Sequence, residues 1–254
     1  MRGEISSMKK LLKFICIFLV VIGLFTFIAC QGQPPDRFYA MVRTVNMGKK
    51  GVDGIKGTFH IPNIDPGDDC VNNMRFITFE QWLPVNNASK VSMLDEFNDW
   101  FELGYVSGYM NSDYQGAANC QGYFKAKRID GNYWETMIGS GNFYGIAPIF
   151  RIANTGSGSN NTWSIFIDNT SYGAFSDNVG VAKERFYMQG YEMCNPDDAP
   201  DIRIKSDAAI YDRHYYENGT WMSLLNSPND ATEVQGSIIN RISQTNSGYY
   251  FYYK

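Results

Sequence analysis

From Gly51 onward, apolar residues come in short runs that alternate with polar ones, and Gly, Asn, Asp or Pro breaks them every few residues. Alternation of period two sends successive side chains to opposite faces of an extended strand, whereas a helix needs an apolar stripe of period 3.6. This spacing predicts an all-β fold, either a sandwich or a barrel. The predicted strands are Gly57–Ile61, Arg75–Pro84, Trp100–Met110, Gly122–Ile129, Tyr133–Ile138, Tyr144–Ala153, Thr162–Asp168, Arg185–Met193, Asp207–Tyr211 and Tyr249–Tyr253. Val91–Phe97 reads as a short helical turn. Asn154–Asn161 reads as a Gly/Ser/Asn loop, and Asn195–Asp201 as an acidic loop. Residues 51–254 suffice for one such domain and are short for two. Aromatic residues make up 15% of the chain, enough to fill a large aromatic core, so most Tyr and Trp residues need no other role.

Ahead of this region, Met8-Lys9-Lys10 opens a basic segment, and Leu11 to Ala29 is almost wholly apolar apart from Lys13. Phe27-Ile28-Ala29-Cys30 closes it with a small residue before a cysteine. This is the layout of an export signal. The closing tetrapeptide resembles a bacterial lipobox, with Phe27 in place of the usual leucine. The expected organisation is a lipoprotein signal peptide over 1–29, a lipidated Cys30 carrying palmitate-type chains, a tether over 30–50 and a single β domain over 51–254. The expected location is the cell envelope, with a membrane as partner through Cys30. Translation starts at Met1 or at Met8, and Met8 makes the better signal. The alternative is a membrane-spanning helix, since the apolar run of about 19 residues approaches the length required. However, Gln31-Gly32-Gln33-Pro34-Pro35 follows without a basic stop-transfer cluster.

Formal net charge is −4, and the leader holds four basic residues against Glu4, so the rest of the chain is more acidic still. Neutralising phosphates requires clustered Lys and Arg, so nucleic acid is excluded as a partner. With Cys16 in the leader and Cys30 lipidated, Cys70, Cys120 and Cys194 are left. One disulfide is expected, Cys120–Cys194, because both adjoin candidate strands. The two histidines, His60 and His214, lie far apart and without partners at ligand spacing, so neither zinc nor another metal is expected. No cofactor is expected either, since the chain lacks a GxSxG, a P-loop, an HExxH and a dinucleotide fingerprint. Asp65, Asp68 and Asp69, and likewise Asp197, Asp198 and Asp201, fit no defined calcium loop and read as solvated turns.

Two strand glutamates stand out. Period-two alternation puts Trp100, Glu102, Gly104, Val106 and Gly108 on one face of their strand, and Phe186, Met188, Gly190 and Glu192 on one face of another. Each glutamate thus has a glycine two residues away on its own face, which opens room for a ligand beside the carboxylate. Glutamates among aromatics are also candidates for a raised pKa. The plainer alternative is that both face solvent and the glycines mark bulges.

The run Phe76-Ile77-Thr78-Phe79-Glu80-Gln81-Trp82-Leu83, followed by Trp100-Phe101-Glu102-Leu103-Gly104-Tyr105, resembles the neprosin family of glutamic endopeptidases. Asn161-Thr162-Trp163-Ser164-Ile165-Phe166 resembles its Trp-containing strand, and Met188-Gln189-Gly190-Tyr191-Glu192 its later Gly-Gly-Glu segment. Gly57-Thr58-Phe59-His60-Ile61-Pro62 is similar to the opening strand of fungal glutamic peptidases. The resemblance implies an antiparallel double-sheet β-sandwich of jelly-roll or concanavalin-like form, with Glu102 and Glu192 as the catalytic pair. Gln81 and Tyr105 would bind substrate, with Trp100 beside them. Gln189 and Tyr191 point away from Glu192 by alternation. Two positions depart from the family pattern: Tyr191 replaces a glycine, and Glu80 stands where glutamine is expected. The competing readings are a binding module for glycan or peptide, built on Trp100, Trp134, Trp163, Trp221 and the terminal Tyr249–Tyr253, and a glycosidase using the same two carboxylates.

Overall fold

The computed structural model describes residues 37–44, 52–65, 76–85, 99–108, 121–156, 160–180, 187–194, 203–224, 230–234 and 239–253. Their strands in chain order are β1 (Arg37–Thr44), β2 (Gly54–His60), β3 (Ile64–Asp65), β4 (Phe76–Pro84), β5 (Trp100–Gly108), β6 (Gln121–Ile129), β7 (Asn132–Ser140), β8 (Ile149–Asn154) and β9 (Trp163–Ile167). After them come β10 (Thr170–Phe175), β11 (Tyr187–Cys194), β12 (Arg203–Ile204), β13 (Ala208–Glu217), β14 (Thr220–Ser223), β15 (Asp230–Val234), β16 (Ile239–Gln244) and β17 (Gly248–Tyr253).

The alternation resolves into a sandwich. A seven-stranded sheet runs β15-β1-β11-β4-β5-β6-β7. An eight-stranded sheet runs β10-β9-β8-β2-β13-β17-β16, with β14 on β13. β3 and β12 form a separate antiparallel pair. Inner-face aromatics lock the two sheets together. Phe79 of β4 meets Phe59 at 5.2 Å and Phe251 at 5.6 Å, both edge-on. Phe101 of β5 stacks on Phe175 at 4.4 Å. Trp163 is fully buried and donates Nε1 to the Val179 carbonyl at 2.9 Å, so this tryptophan belongs to the core and not to a binding surface. The terminal β17 buries Tyr249 and Phe251 and exposes Tyr250 and Tyr253, as expected for a strand covered on one face.

Several expectations need correction. Arg37–Thr44, expected within the tether over 30–50, is a sheet strand. β1 lies between β11 and β15 with Ala40, Met41 and Val42 fully buried, and so covers a ladder edge that β11 would otherwise expose. Tyr144–Ala153 is extended only from Ile149 onward. β13 does not end at Tyr211 but continues through a bulge to Glu217. Asp65 belongs to β3 and forms an exposed ion pair with Lys205 at 2.7 Å, the kind of contact that contributes little. The expected leader over 1–29 with Cys30, Val91–Phe97, Asn195–Asp201, Cys120 and the Cys194 side chain lie outside the described residues.

Candidate active site: three carboxylates on one sheet face

The two faces of the seven-stranded sheet differ sharply. On β4, Ile77, Phe79 and Leu83 enter the sandwich core, so Thr78, Glu80 and Trp82 occupy the opposite face. The same parity on β5 places Trp100, Glu102, Gly104 and Val106 there, and on β11 Met188, Gly190 and Glu192. Register then aligns these positions. Glu102 pairs with Trp82, Glu80 pairs with Gly104 on one side and Gly190 on the other, and Glu192 pairs with Thr78. The glutamates therefore form a diagonal across three adjacent strands, with Glu80 in the middle. Each offers an oxygen within 4.8 Å of the others, and their relative exposures are 0%, 2% and 2% for Glu80, Glu102 and Glu192. The solvent-facing alternative for Glu102 and Glu192 is thereby overturned.

The glycines have a different purpose from the one the sequence suggested. A Cβ on Gly104 would lie 2.4 Å from the Glu80 Cβ and 2.9 Å from the Phe79 carbonyl oxygen. Gly190 holds φ at +152°, and a Cβ there would lie 2.3 Å from the Ala40 carbonyl oxygen. Gly104 and Gly190 flank Glu80 on both neighbouring strands, and Gly104 leaves the space that Glu80 fills. Glu80 is thus the site residue that the sequence reading noted only as a departure from a family pattern. Its parity with Trp82 and Thr78 was the signal that could have found it.

Both Glu80 oxygens are buried and have no hydrogen-bond partner, and the buried Trp82 Nε1, opposite Glu102, has none either. An ionised carboxylate left in that state costs several kcal/mol, so the group holds its proton instead. Burial first, then the Glu102 and Glu192 charges, push Glu80 well above the usual carboxylate range. Burial raises Glu102 to about 7, with the Glu192 charge acting in the same direction. No fourth His, Cys, Asp or Glu joins the three at metal-ligand spacing among the described residues.

Aromatic rings border the carboxylates. Trp100, on the Glu102 face, stacks on Trp82 with centroids 6.1 Å apart and meets Tyr133 at 5.7 Å. Tyr133 donates to Glu135. Burial, then the Glu102 and Glu135 charges, raise the Tyr133 hydroxyl well above its ordinary value. Glu135 lies in register with Glu102 across Ala126.

The other two predicted substrate residues lie elsewhere. Gln81 points into the sandwich, where it accepts from Gln189 Nε2 at 3.1 Å. The chain continues through Arg213, which donates Nε to Gln189 at 2.5 Å, Nη1 to Asp230 at 2.6 Å and Nη2 to Thr44 at 2.7 Å. Tyr249 also donates to Asp230, at 2.8 Å. Tyr105 is buried in the core against Tyr123 and Phe143. Strand parity excludes both Gln81 and Tyr105 from the carboxylate face. A cavity of about 290 Å³ opens beside Arg213, lined by His214, Gln244, Asn246 and Tyr249 among others, and none of the three glutamates lines it.

No protein-family model and no curated protein matches the chain. Among solved structures, the chain is similar to Scytalido-glutamic peptidase with a peptide-based transition-state analogue. The TM-score is 0.48 and the identity 12%, over 87% of this chain and 98% of that one. It is similar to SCP-B, a member of the Eqolisin family of peptidases in complex with a tripeptide, at TM-score 0.43 and 13% identity over 87% and 98% of the two chains. It is also similar to a Bacteroides ovatus mixed-linkage glucan GH16 protein in complex with product, at TM-score 0.36 and 13% identity over 64% and 70%. At such scores and identities, the likeness transfers neither activity nor ligand to this chain.

Proposed function

We propose that this chain is a cofactor-free peptidase of the glutamic type, in which Glu192 acts as base and Glu102 as acid. The observation that carries this reading is the convergence of these two buried carboxylates on one sheet face, with oxygens within 4.8 Å of each other. Glu192 takes a proton from water, and the water oxygen bonds to the scissile carbonyl carbon. Glu102, with its pKa near 7, donates its proton first toward the carbonyl oxygen and then to the leaving nitrogen as the C–N bond breaks. The neprosin-like order of the Gln81-Trp82, Glu102-x-Gly104 and Gly190-x-Glu192 segments supports the same pair. The spacing is shorter than the about 6.5–9.5 Å of an inverting glycosidase and close to the about 5–5.5 Å of a retaining one, so it counts only against the inverting form of the glycosidase reading. Trp100 and Tyr133 would form a wall for the bound chain.

Casein cleavage assayed from pH 3 to 7 tests the reading. Activity should rise as pH falls below about 7, where Glu102 is protonated, and should vanish in Glu102→Gln and in Glu192→Gln. Cleavage retained in both variants would refute it.

The leader supports a second part of the reading, that Cys30 carries lipid and tethers the enzyme to a bacterial envelope membrane. Labelled palmitate should enter the wild-type chain and not Cys30→Ala; equal labelling of the two would refute the anchor.

A further inference from the structure

We propose that Glu80 is the proton relay of this site, returning to Glu102 the proton that Glu192 takes up in each turnover. The inference rests on the peptidase reading and concerns a step that reading leaves open. When hydrolysis is complete, Glu192 is a carboxylic acid and Glu102 a carboxylate, so the pair must be reset before the next substrate. Both sit at 2% exposure, where exchange with bulk water is restricted.

Glu80 is placed for that reset. It lies on the strand between the two, diagonal to each, in a space that Gly104 leaves open. Both of its oxygens are buried and unpartnered, so one is available to give a proton and the other to accept one. The three carboxyl groups lie within 4.8 Å of one another, a separation that a side-chain rotation or one water spans. In the relay, the Glu80 O–H proton passes to Glu102 while the Glu192 proton passes to the other Glu80 oxygen. Two O–H bonds break and two form, and the net change is one proton moved from Glu192 to Glu102. Glu80 must be neutral to begin, and its burial between two carboxylates keeps it so. Among the described side chains, the other polar or charged groups on this sheet face are Tyr39 and Arg43 of β1, Thr78 and Trp82 of β4, Arg128 of β6, and Tyr133 and Glu135 of β7.

Glu80→Gln separates relay from scaffold, because an amide fills the same space but cannot pass a proton through exchangeable O–H. On the full-length chain with a fluorogenic peptide, single-turnover and steady-state rates are measured alongside an infrared titration of the carboxyl C=O band. In Glu80→Gln the first turnover should stay within about threefold of wild type while kcat falls by about tenfold or more. Added formate should restore kcat in Glu80→Ala. One protonated-carboxyl band should persist above pH 7 in the wild type and be missing in Glu80→Gln. A first turnover that falls together with kcat, or an unchanged kcat, overturns the relay while leaving the peptidase intact. Loss of the band below pH 7, or its removal by micromolar Mn²⁺ in a chain that binds the ion tightly, also overturns it. A wild-type chain that cleaves no peptide refutes the peptidase reading, and then a persistent band marks Glu80 as a structural acid with no turnover to reset.

Discussion

Glu80 and Gln81 are neighbours on β4, yet they head two buried polar clusters of opposite design. Gln81 faces inward and joins Gln189, Arg213, Asp230, Thr44 and Tyr249. There the buried cation meets a buried anion, and every nitrogen of the Arg213 guanidinium donates a hydrogen bond. Glu80 faces the other way and joins two further carboxylates, with its own two oxygens left unpartnered. The first cluster ties β1, β4, β11, β13, β15 and β17 together across both sheets. The second places like groups side by side and works against the fold. Sites kept at such a cost to stability are where function is expected.

The largest expected contrast is between activity and stability. Glu102→Gln and Glu192→Gln should each lose about 10²–10⁴-fold in peptide hydrolysis, read as kcat/KM, without loss of thermal stability. Arg213→Met should do the reverse in kind: it leaves Asp230 buried without its cation and should lower the unfolding free energy by about 3–5 kcal/mol in urea titrations. If Arg213→Met were as stable as wild type, the inner cluster would not be the anchor described.

Next comes the pH dependence of folding. Glu102 is raised to about 7 in the folded chain, so between its unfolded value and that point the folded state binds more protons than the unfolded one. Stability should therefore fall as pH rises from about 4.5 through 7, by an amount on the order of 3 kcal/mol from Glu102, and go on falling above 7 while Glu80 keeps its proton in the folded chain. Thermal scans across that range check the sign. The smallest expected effect is that of Gly104→Ala, whose new Cβ would press on the Glu80 Cβ at 2.4 Å. It should cost about 1–3 kcal/mol of stability by overpacking and displace Glu80 from the line of carboxylates.

Much of this was legible in the residues. Alternation alone places Glu102 and Glu192 on strands, and their same-face glycines single them out. Parity also forbids Gln81 and Tyr105 from sharing the Glu102 face, a consequence that the family resemblance obscured. What alternation cannot supply is register between strands. That Glu80 meets Gly104 and Gly190 depends on how β4 pairs with β5 and β11, and one residue of slip would move every side chain to the other face. The Arg213 cluster was equally hidden, since Thr44, Gln189 and Asp230 lie far apart in the chain and only the sandwich brings them together. β1 was missed because it lies close behind the apolar segment that ends at Cys30 and so reads as part of a tether. β14 was missed although Asn218-Gly219, a favoured hairpin dipeptide, joins it to β13.

The central claim is that the carboxylate face is held against stability, in contrast to the inner face of the same strand. The unfolding free energy of Glu102→Gln, measured against wild type at pH 4.5 and at pH 7.5, tests it most directly. The variant should match wild type at the lower pH and exceed it at the higher, where wild-type Glu102 must be ionised while buried. A variant less stable than wild type at both pH values would contradict the account, because the carboxylate would then be a structural anchor like Arg213.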